Sequence, residues 1–264
     1  MKVATRFLTA GTFAALMPML GACSNDSPEV TRTEVSGSRL QQQEPTVVAA
    51  SGDIAPAVAQ YRALLGEPNN GAALGERFHG RREITWDGVP AALTNTDDFP
   101  ADGFLNRGTL FSTPGIGFRV SNNNLTDINE VYVHEFIFFS PVRTFIAAGS
   151  NIMDVDIFIP GSSTRALTTG FGVVFSDVDR EGSTRLEFYD AAGSLLYTAV
   201  APARSDERGL SFVGVVYDSP IVARVRIISG DGALGAAVRD ISNGGSLDLV
   251  VMDDFLLGEP RSGL

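Results

Sequence analysis

The sequence predicts a mainly β protein, an antiparallel jelly-roll β-sandwich with one short helix near its N-terminal side. Short apolar segments rich in β-branched and aromatic residues recur along the chain, separated by Gly, Asn, Asp and Pro turns. Several of these segments alternate between apolar and polar residues, as half-buried strands do. No helical pattern separates the segments, which is typical of sandwiches and jelly rolls. With 264 residues, 44% hydrophobic residues and 17 Phe, the chain can fill one sizeable core.

Charge and cysteine content exclude several functions. Asp and Glu number 31 and Lys and Arg 20, so the net charge is −11. This balance argues against binding to nucleic acid and against electrostatic binding to anionic lipid. A single Cys leaves no internal disulfide framework and no multi-thiolate metal site. Two His residues are too few for a His-rich zinc centre.

Residues 1–22 are predicted to be a lipoprotein signal peptide. Lys2 and Arg6 form a short positive region, and the apolar stretch 7–20 is too short for a membrane-spanning helix. The sequence LGAC at 20–23 resembles the bacterial lipobox, in which a peptidase cleaves before an acylated cysteine. The resemblance implies a lipid anchor on Cys23, with acyl chains such as palmitate. Ser24, in place of Asp, implies sorting to the outer membrane of a Gram-negative bacterium. The alternative is an ordinary secretory peptide with an incidental cysteine.

The mature chain is predicted to consist of a flexible tether, residues 23–52, and a single β-sandwich domain, residues 53–264. The tether is rich in Ser, Thr, Gln and Glu and contains no aromatic residue. A short helix opens the domain, with Asp53 as its N-cap, Pro56 in its first turn and Gly66 as its stop signal. Apolar residues between these signals recur at helical spacing.

The β segments are predicted from about residue 83 onward. Two of them, 110–111 and 117–120, form a candidate hairpin around Pro114 and Gly115. We find no repeat of fixed period, so a propeller or solenoid is not indicated. The remaining predicted segments are 84–86, 136–139, 155–159, 171–175, 185–189, 195–200, 210–216, 221–228 and 247–252.

Three groups of motifs together resemble a family of uncharacterised bacterial exported proteins. They are residues 69–71 with 80–90, residues 107–118, and residues 170–179 with 210–212 and 251–255. Some members of this family carry a PEP-CTERM sorting tail, and their jelly-roll sandwich is similar to carbohydrate-binding and lectin-like domains. The resemblance covers residues 53–260 and implies the jelly-roll fold. It implies no established activity, and here the lipobox takes the place of the sorting tail.

An acidic turn is the first candidate metal site. Asp177, Asp179 and Glu181 follow one another at every second position and are followed by Gly182. Calcium is bound by several hard oxygen ligands on a tight turn, and this spacing matches the first half of an EF-type loop. Phe188 stands where the bidentate Glu of an EF-hand belongs, so a complete EF-hand is excluded. The alternative is a solvated acidic hairpin turn.

Asp254 is a further candidate calcium ligand. Jelly-roll binding modules often hold a structural calcium ion between their first and last strands, where Asp254 would meet an acid such as Asp87. Because side chains alternate along a strand, only one of Asp253 and Asp254 is expected to face inward. The alternative is that one of these two residues caps the strand end and the other is solvated.

Trp86 and Tyr189 are the candidate ligand-binding residues. Exposed aromatic rings bind glycans by stacking, and the alternative for Trp86, which follows Ile84 in a β segment, is a place in the core. The sequence offers little for nucleophilic catalysis, with no Gly-x-Ser-x-Gly motif and only His79 and His134 as imidazoles. Paired carboxylates for glycoside hydrolysis cannot be identified from spacing alone. The Arg81–Arg82 pair is expected on a solvated face or in ion pairs with surface acids.

These observations favour non-catalytic binding of a glycan or cell-envelope polymer, with calcium as a structural ion. A second hypothesis is a structural or protein-interaction module, which needs a contiguous exposed apolar patch. A third is a glycan-active hydrolase or lyase, which needs two carboxylates about 5–10 Å apart in a cleft. Whether the protein is an enzyme is left open by the sequence, with a binding role favoured.

Overall fold

Twelve strands form two antiparallel sheets in the computed structural model, which describes residues 44–204 and 208–263. The mainly β sandwich with one helix that the sequence predicts is confirmed. The strands are β1 (Thr46–Ser51), β2 (Arg81–Ile84), β3 (Thr109–Ser112), β4 (Gly117–Ser121), β5 (Thr144–Ala148), β6 (Ile152–Ile157), β7 (Gly170–Ser176), β8 (Arg185–Tyr189), β9 (Leu195–Val200), β10 (Leu210–Val216), β11 (Arg224–Ile228) and β12 (Val251–Gly258). The helix α1 spans Ala55–Leu65, and short 3₁₀ helices span Trp86–Gly88, Ala91–Leu93, Leu105–Arg107 and Glu130–His134.

The first sheet, sheet A, has the strand order β1-β10-β7-β12-β5-β4, and β2 pairs with the second half of β12. The second sheet, sheet B, has the order β3-β6-β11-β8-β9. Strands β7, β10 and β12 are buried along almost their whole length, because both faces of the central part of sheet A are covered. This burial explains why their sequences are continuous apolar runs, whereas β6, β8 and β11 alternate. Jelly-roll connectivity stays a prediction.

Trp86 lies at the centre of the core. Its indole is 0% exposed, stacks on Phe145 of sheet A at 3.8 Å between ring centroids, and meets Phe255 edge-on at 5.2 Å. Phe111 of sheet B lies 6.2 Å away, so the ring contacts both sheets. The indole N–H donates a hydrogen bond to the Asp253 carbonyl at 2.7 Å, which satisfies its only polar group.

Helix α1 covers the outer face of sheet A. Tyr61 is fully buried against β10, and its hydroxyl donates to the Val215 carbonyl at 2.8 Å. Gly214 makes this approach possible, since a Cβ there would lie 2.6 Å from the tyrosine ring. The predicted helix is confirmed, but its N-cap is Ile54. Asp53 accepts a hydrogen bond from the Ala55 amide at 3.3 Å.

Three predictions about local structure are wrong. The predicted tether, residues 23–52, includes β1, an edge strand that pairs with β10 from Thr46↔Val216 to Ser51↔Ser211. The sequence does not predict this strand, because only one residue of β1, Val48, is buried and no alternation of apolar and polar residues results. The predicted hairpin at Pro114 is not formed, because β3 pairs with β6 in sheet B and β4 pairs with β5 in sheet A. The segment 136–139 is not a strand.

The signal peptide, Cys23 and the tether up to residue 43 lie outside the described residues. Within the described part of the chain, no helix has the length and apolar character needed to cross a bilayer.

Candidate functional site

Asp177 and Asp179, two of the predicted calcium ligands, lie in a group of five carboxylates that we name the acidic cluster. Its members are Glu135, Asp177, Asp179, Asp240 and Asp248. One oxygen from each of Glu135, Asp177 and Asp240 lies within 4.8 Å of the others, and the same holds for Asp179, Asp240 and Asp248. Asp240 therefore belongs to both groups of three. All of these residues except Asp179 are buried.

Three segments of the chain bring these carboxylates together. Asp177 and Asp179 follow β7, and Glu135 directly follows the 3₁₀ helix Glu130–His134. Asp240 and Asp248 lie in the long connection between β11 and β12. Asp177 has a left-handed backbone with φ +72°, which Asp tolerates better than most residues and which redirects the chain at the strand end.

Asp240 and Asp248 also hold the backbone in place. The carboxylate of Asp240 accepts hydrogen bonds from the amides of Ser242 and Leu249, both at 2.6 Å. Asp248 accepts from the amides of Asp179 and Arg180 at 3.1 and 3.0 Å. The long connection is therefore fixed to the turn after β7 by the same acids that form the cluster.

Two carboxylate oxygens of the acidic cluster are buried without a hydrogen-bond partner in residues 44–204 and 208–263. They are Oδ2 of Asp177 and Oδ1 of Asp179. Asp177 is only 1% exposed, and its other oxygen accepts a hydrogen bond from the Arg208 amide at 3.1 Å. Arg180, beside Asp179 in sequence, forms its salt bridge with Asp231 and not with the cluster. A buried carboxylate oxygen left unpaired in this way is costly unless a proton or a cation compensates it.

The electrostatics of the cluster reflect this crowding. Burial, together with the neighbouring charges of Asp179, Asp240 and Glu135, raises the pKa of Asp177 to about 9. Burial and direct contact with Asp240 raise the pKa of Asp179 to about 7. Burial also raises the pKa values of Glu135 and Asp248. Asp177 is therefore expected to keep its proton at neutral pH unless a positive charge compensates it.

Glu181 and Asp254 do not join the acidic cluster. Glu181 is exposed on the turn before β8 and belongs to neither group of three carboxylates. Asp254 lies beside Asp253, and both accept a hydrogen bond from the Ser140 hydroxyl, at 2.8 and 3.0 Å. The predicted grouping of Glu181 with Asp177 and Asp179 is therefore not formed among the described residues, and the separate calcium site predicted around Asp254 stays a prediction.

Asp253 and Asp254 are both buried, contrary to the expectation that only one of them faces inward. The register between β12 and β7 shifts between Met252 and Phe255, so β12 contains one extra residue there. Such a β-bulge interrupts the alternation of side chains and allows two successive residues to turn toward the same partner.

Trp86 offers no ring face to a ligand from solvent, since its side chain is fully buried in the core. The prediction that it stacks on a glycan is therefore wrong, and the alternative that placed it in the core is correct. Tyr189 lies on the outer face of sheet B and is half-buried. The Arg224 guanidinium lies 3.9 Å from the centre of the Tyr189 ring, and the Tyr189 hydroxyl donates to Glu187 at 2.7 Å.

A cleft of about 520 Å³ lies next to Tyr189, at one end of sheet B. Its charged lining residues are Asp156, Arg165, Asp190 and Arg224, and its apolar lining includes Leu167. Asp156 pairs with Arg165 at 2.6 Å. Asp156 and Arg224 point outward because β6 and β11 alternate between buried apolar and outward polar residues. The cleft can form hydrogen bonds with both donor and acceptor groups of a ligand.

Glu135, Asp240 and Asp248 were missed by sequence reasoning. They are separated from Asp177 by more than forty residues of chain, and no spacing rule connects positions at that distance. The only local signal is the Gly-, Ser- and Asn-rich connection between β11 and β12, in which Asp240 and Asp248 lie.

Comparison with protein-family models finds no match to this chain, and comparison with curated proteins finds none either, so the function is argued from the site itself.

Proposed function

We propose that this protein is an outer-membrane lipoprotein whose β-sandwich binds a glycan or cell-envelope polymer without catalysis. Cys23 would carry the acyl chains, and the cleft at the end of sheet B would hold the ligand. The observation that carries the proposal is the lining of this cleft, which places two carboxylates and two guanidinium groups around an open space of about 520 Å³.

The chemistry of the lining suits a sugar polymer. Sugar hydroxyl groups donate and accept hydrogen bonds, so they pair well with carboxylates and guanidinium groups placed side by side. Arg224 donates to Asp154 at 2.9 Å and lies over the ring of Tyr189, which fixes the orientation of its guanidinium. A fixed donor loses little conformational entropy when it binds a ligand. The resemblance to lectin-like sandwiches supports the same class of ligand.

The arrangement supports binding better than hydrolysis. A glycosidase needs an acid of raised pKa in the cleft, together with a second carboxylate. Asp177 and Asp253, whose pKa values are raised to about 9 and about 8, do not line the cleft. Asp156, which does line it, is already paired with Arg165.

The proposal is tested by applying the purified mature protein to an array of bacterial and plant polysaccharides and titrating the best binder by calorimetry. We expect Arg224→Ala to weaken binding at least tenfold, which corresponds to about 1.4 kcal/mol. Arg185→Ala is the matched control, because Arg185 forms a similar surface pair with Glu187 on sheet B but does not line the cleft. An equal loss of affinity in both variants, or the absence of any binding polysaccharide on the array, would refute the proposal.

A protein-interaction role is the second candidate, and it rests on a different surface. Phe78, in the connection between α1 and β2, is 92% exposed, and Leu74 of the same connection is also exposed. If this role is correct, Phe78→Ser abolishes association with a partner protein and leaves glycan binding unchanged.

A further inference from the structure

We propose that the acidic cluster is a calcium-binding site in which Asp240 is the central ligand and Asp177 and Glu135 are the other buried ligands. The site differs from the one predicted from sequence, since two of its three ligands lie far from the turn 177–182. It is also separate from the cleft of sheet B, so the proposal stands independently of the glycan ligand.

The spacing of the carboxylates fits a single ion. Calcium binds oxygen at about 2.3–2.6 Å, so ligands on opposite sides of the ion lie about 4.6–5.2 Å apart and neighbouring ligands lie closer. The ligand oxygens of Glu135, Asp177 and Asp240 all lie within 4.8 Å of one another. Three oxygens at these separations can share one calcium ion without rearrangement of the backbone.

The buried oxygen of Asp177 points to a ligand independently of the acid count. Asp177 is almost completely buried, and its Oδ2 atom has no hydrogen-bond partner among the described residues. Its carboxylate lies in the field of Asp179, Asp240 and Glu135, all of the same charge. A cation among these groups would supply the partner that Oδ2 lacks and would cancel their mutual repulsion.

The donor set selects calcium. The cluster offers carboxylate oxygens, and its members include no His or Cys, so zinc and copper are disfavoured. Calcium accepts several protein ligands in irregular geometry, whereas magnesium requires a near-ideal octahedron and retains most of its water. Acids from three separate segments of the chain suit the more adaptable ion. The neighbouring pocket of about 210 Å³ provides space for coordinating water; it is lined by His134, Glu135, Arg208, Ser242 and Asn243.

The site would link three segments that sheet hydrogen bonds leave apart. Glu135 lies after a 3₁₀ helix, Asp177 at the end of β7, and Asp240 in the connection between β11 and β12. Calcium bound to all three would favour the folded state, because the unfolded chain cannot bring these acids together. The thermal stability of the protein should therefore depend on calcium.

The test is thermal unfolding of the mature protein, first stripped with EDTA and then given CaCl₂, with calcium titration calorimetry on the same sample. At about one hundred times the dissociation constant, we expect calcium to raise the Tm by roughly 5–10 °C. Asp177→Asn should abolish this rise and, because it replaces a buried acid in a crowded group of carboxyls with a neutral amide, should leave the calcium-free Tm equal to or above that of the wild type.

Glu181→Gln is the matched control, because Glu181 lies on the same turn but outside the cluster. It should keep the full calcium response. The proposal would be overturned by an unchanged wild-type Tm with no binding heat, by an equal response to MgCl₂, or by loss of the response in Glu181→Gln. An unchanged Tm would mean that the acids share protons instead of binding calcium.

Discussion

Arg82 should be among the most sensitive positions in the protein. Its side chain is 0% exposed and forms a bidentate pair with Glu259, with Nη2–Oε1 at 2.7 Å and Nε–Oε2 at 2.9 Å. Its remaining N–H groups donate to backbone carbonyls of the connection between α1 and β2, including Ala73 at 2.7 Å and Gly71 at 2.9 Å, and to the Asn106 carbonyl at 3.2 Å. Arg82 therefore holds this connection against Glu259, which directly follows β12. The sequence predicted a solvated face or ion pairs with surface acids for Arg81 and Arg82. This is wrong for Arg82, which is buried with a buried partner, whereas Arg81 does pair with the exposed Glu67.

The expected cost of Arg82→Met follows from this burial. The substitution keeps an apolar side chain but leaves the Glu259 carboxylate, which is also buried, without its countercharge. Removing one partner of a buried ion pair costs about 3–5 kcal/mol. In a domain of this size, 1 kcal/mol shifts the Tm by about 2–4 °C, so we expect a loss of roughly 6–20 °C by calorimetry.

Arg165→Met is the control for this measurement. Arg165 forms an equally short pair with Asp156, but its side chain is 65% exposed. Exposed pairs contribute about 1 kcal/mol or less. If Arg82→Met lowers the Tm no more than Arg165→Met does, the reasoning from burial is refuted. The double variant Arg82→Met/Glu259→Gln should recover part of the loss, because it removes the stranded charge.

Three further predictions concern other parts of the molecule. Burial and the adjacent Asp254 raise the pKa of Asp253 from 3.8 to about 8, so the folded state holds a proton that the unfolded state releases. The free energy of unfolding in EDTA should therefore fall as the pH rises from 4 to 8. For Asp253→Asn, the urea midpoint should depend less on pH. Gly214→Ala should cost about 1–3 kcal/mol, because its Cβ would lie 2.6 Å from Tyr61, whereas Gly88→Ala, with open space around it, should be neutral in the same urea titration. Cys23→Ala should abolish labelling by radioactive palmitate and release the protein from the membrane fraction; labelling that persists in this variant would rule out Cys23 as the site of the lipid anchor.

The sequence was a good guide where one local rule decides the structure. The alternation in β8 and β11 and the continuous apolar runs of β7 and β10 reflect burial on one face and on two faces respectively. Helix α1 was predicted correctly because the helical spacing of its apolar residues ends where Gly66 provides a stop signal. The edge strand β1 was missed because burial of a single residue leaves almost no pattern.

Only two of the five residues of the acidic cluster could be predicted from the sequence. Asp177 and Asp179 were selected from their spacing, yet Glu181 of the same turn points into solvent. Asp240 is far from Asp177 in the sequence, and only the fold brings its loop to the end of β7. Both Asp253 and Asp254 are buried where the register of β12 against β7 shifts, and this long-range pairing cannot be read from the local sequence.

The calcium site is tested most directly by a crystal of the mature protein grown with CaCl₂, with anomalous scattering recorded at long wavelength. We predict an anomalous peak among Glu135, Asp177 and Asp240, about 2.3–2.6 Å from a carboxylate oxygen of each. A map without a peak there at saturating calcium, with these carboxylates hydrogen-bonded directly to one another, would contradict it.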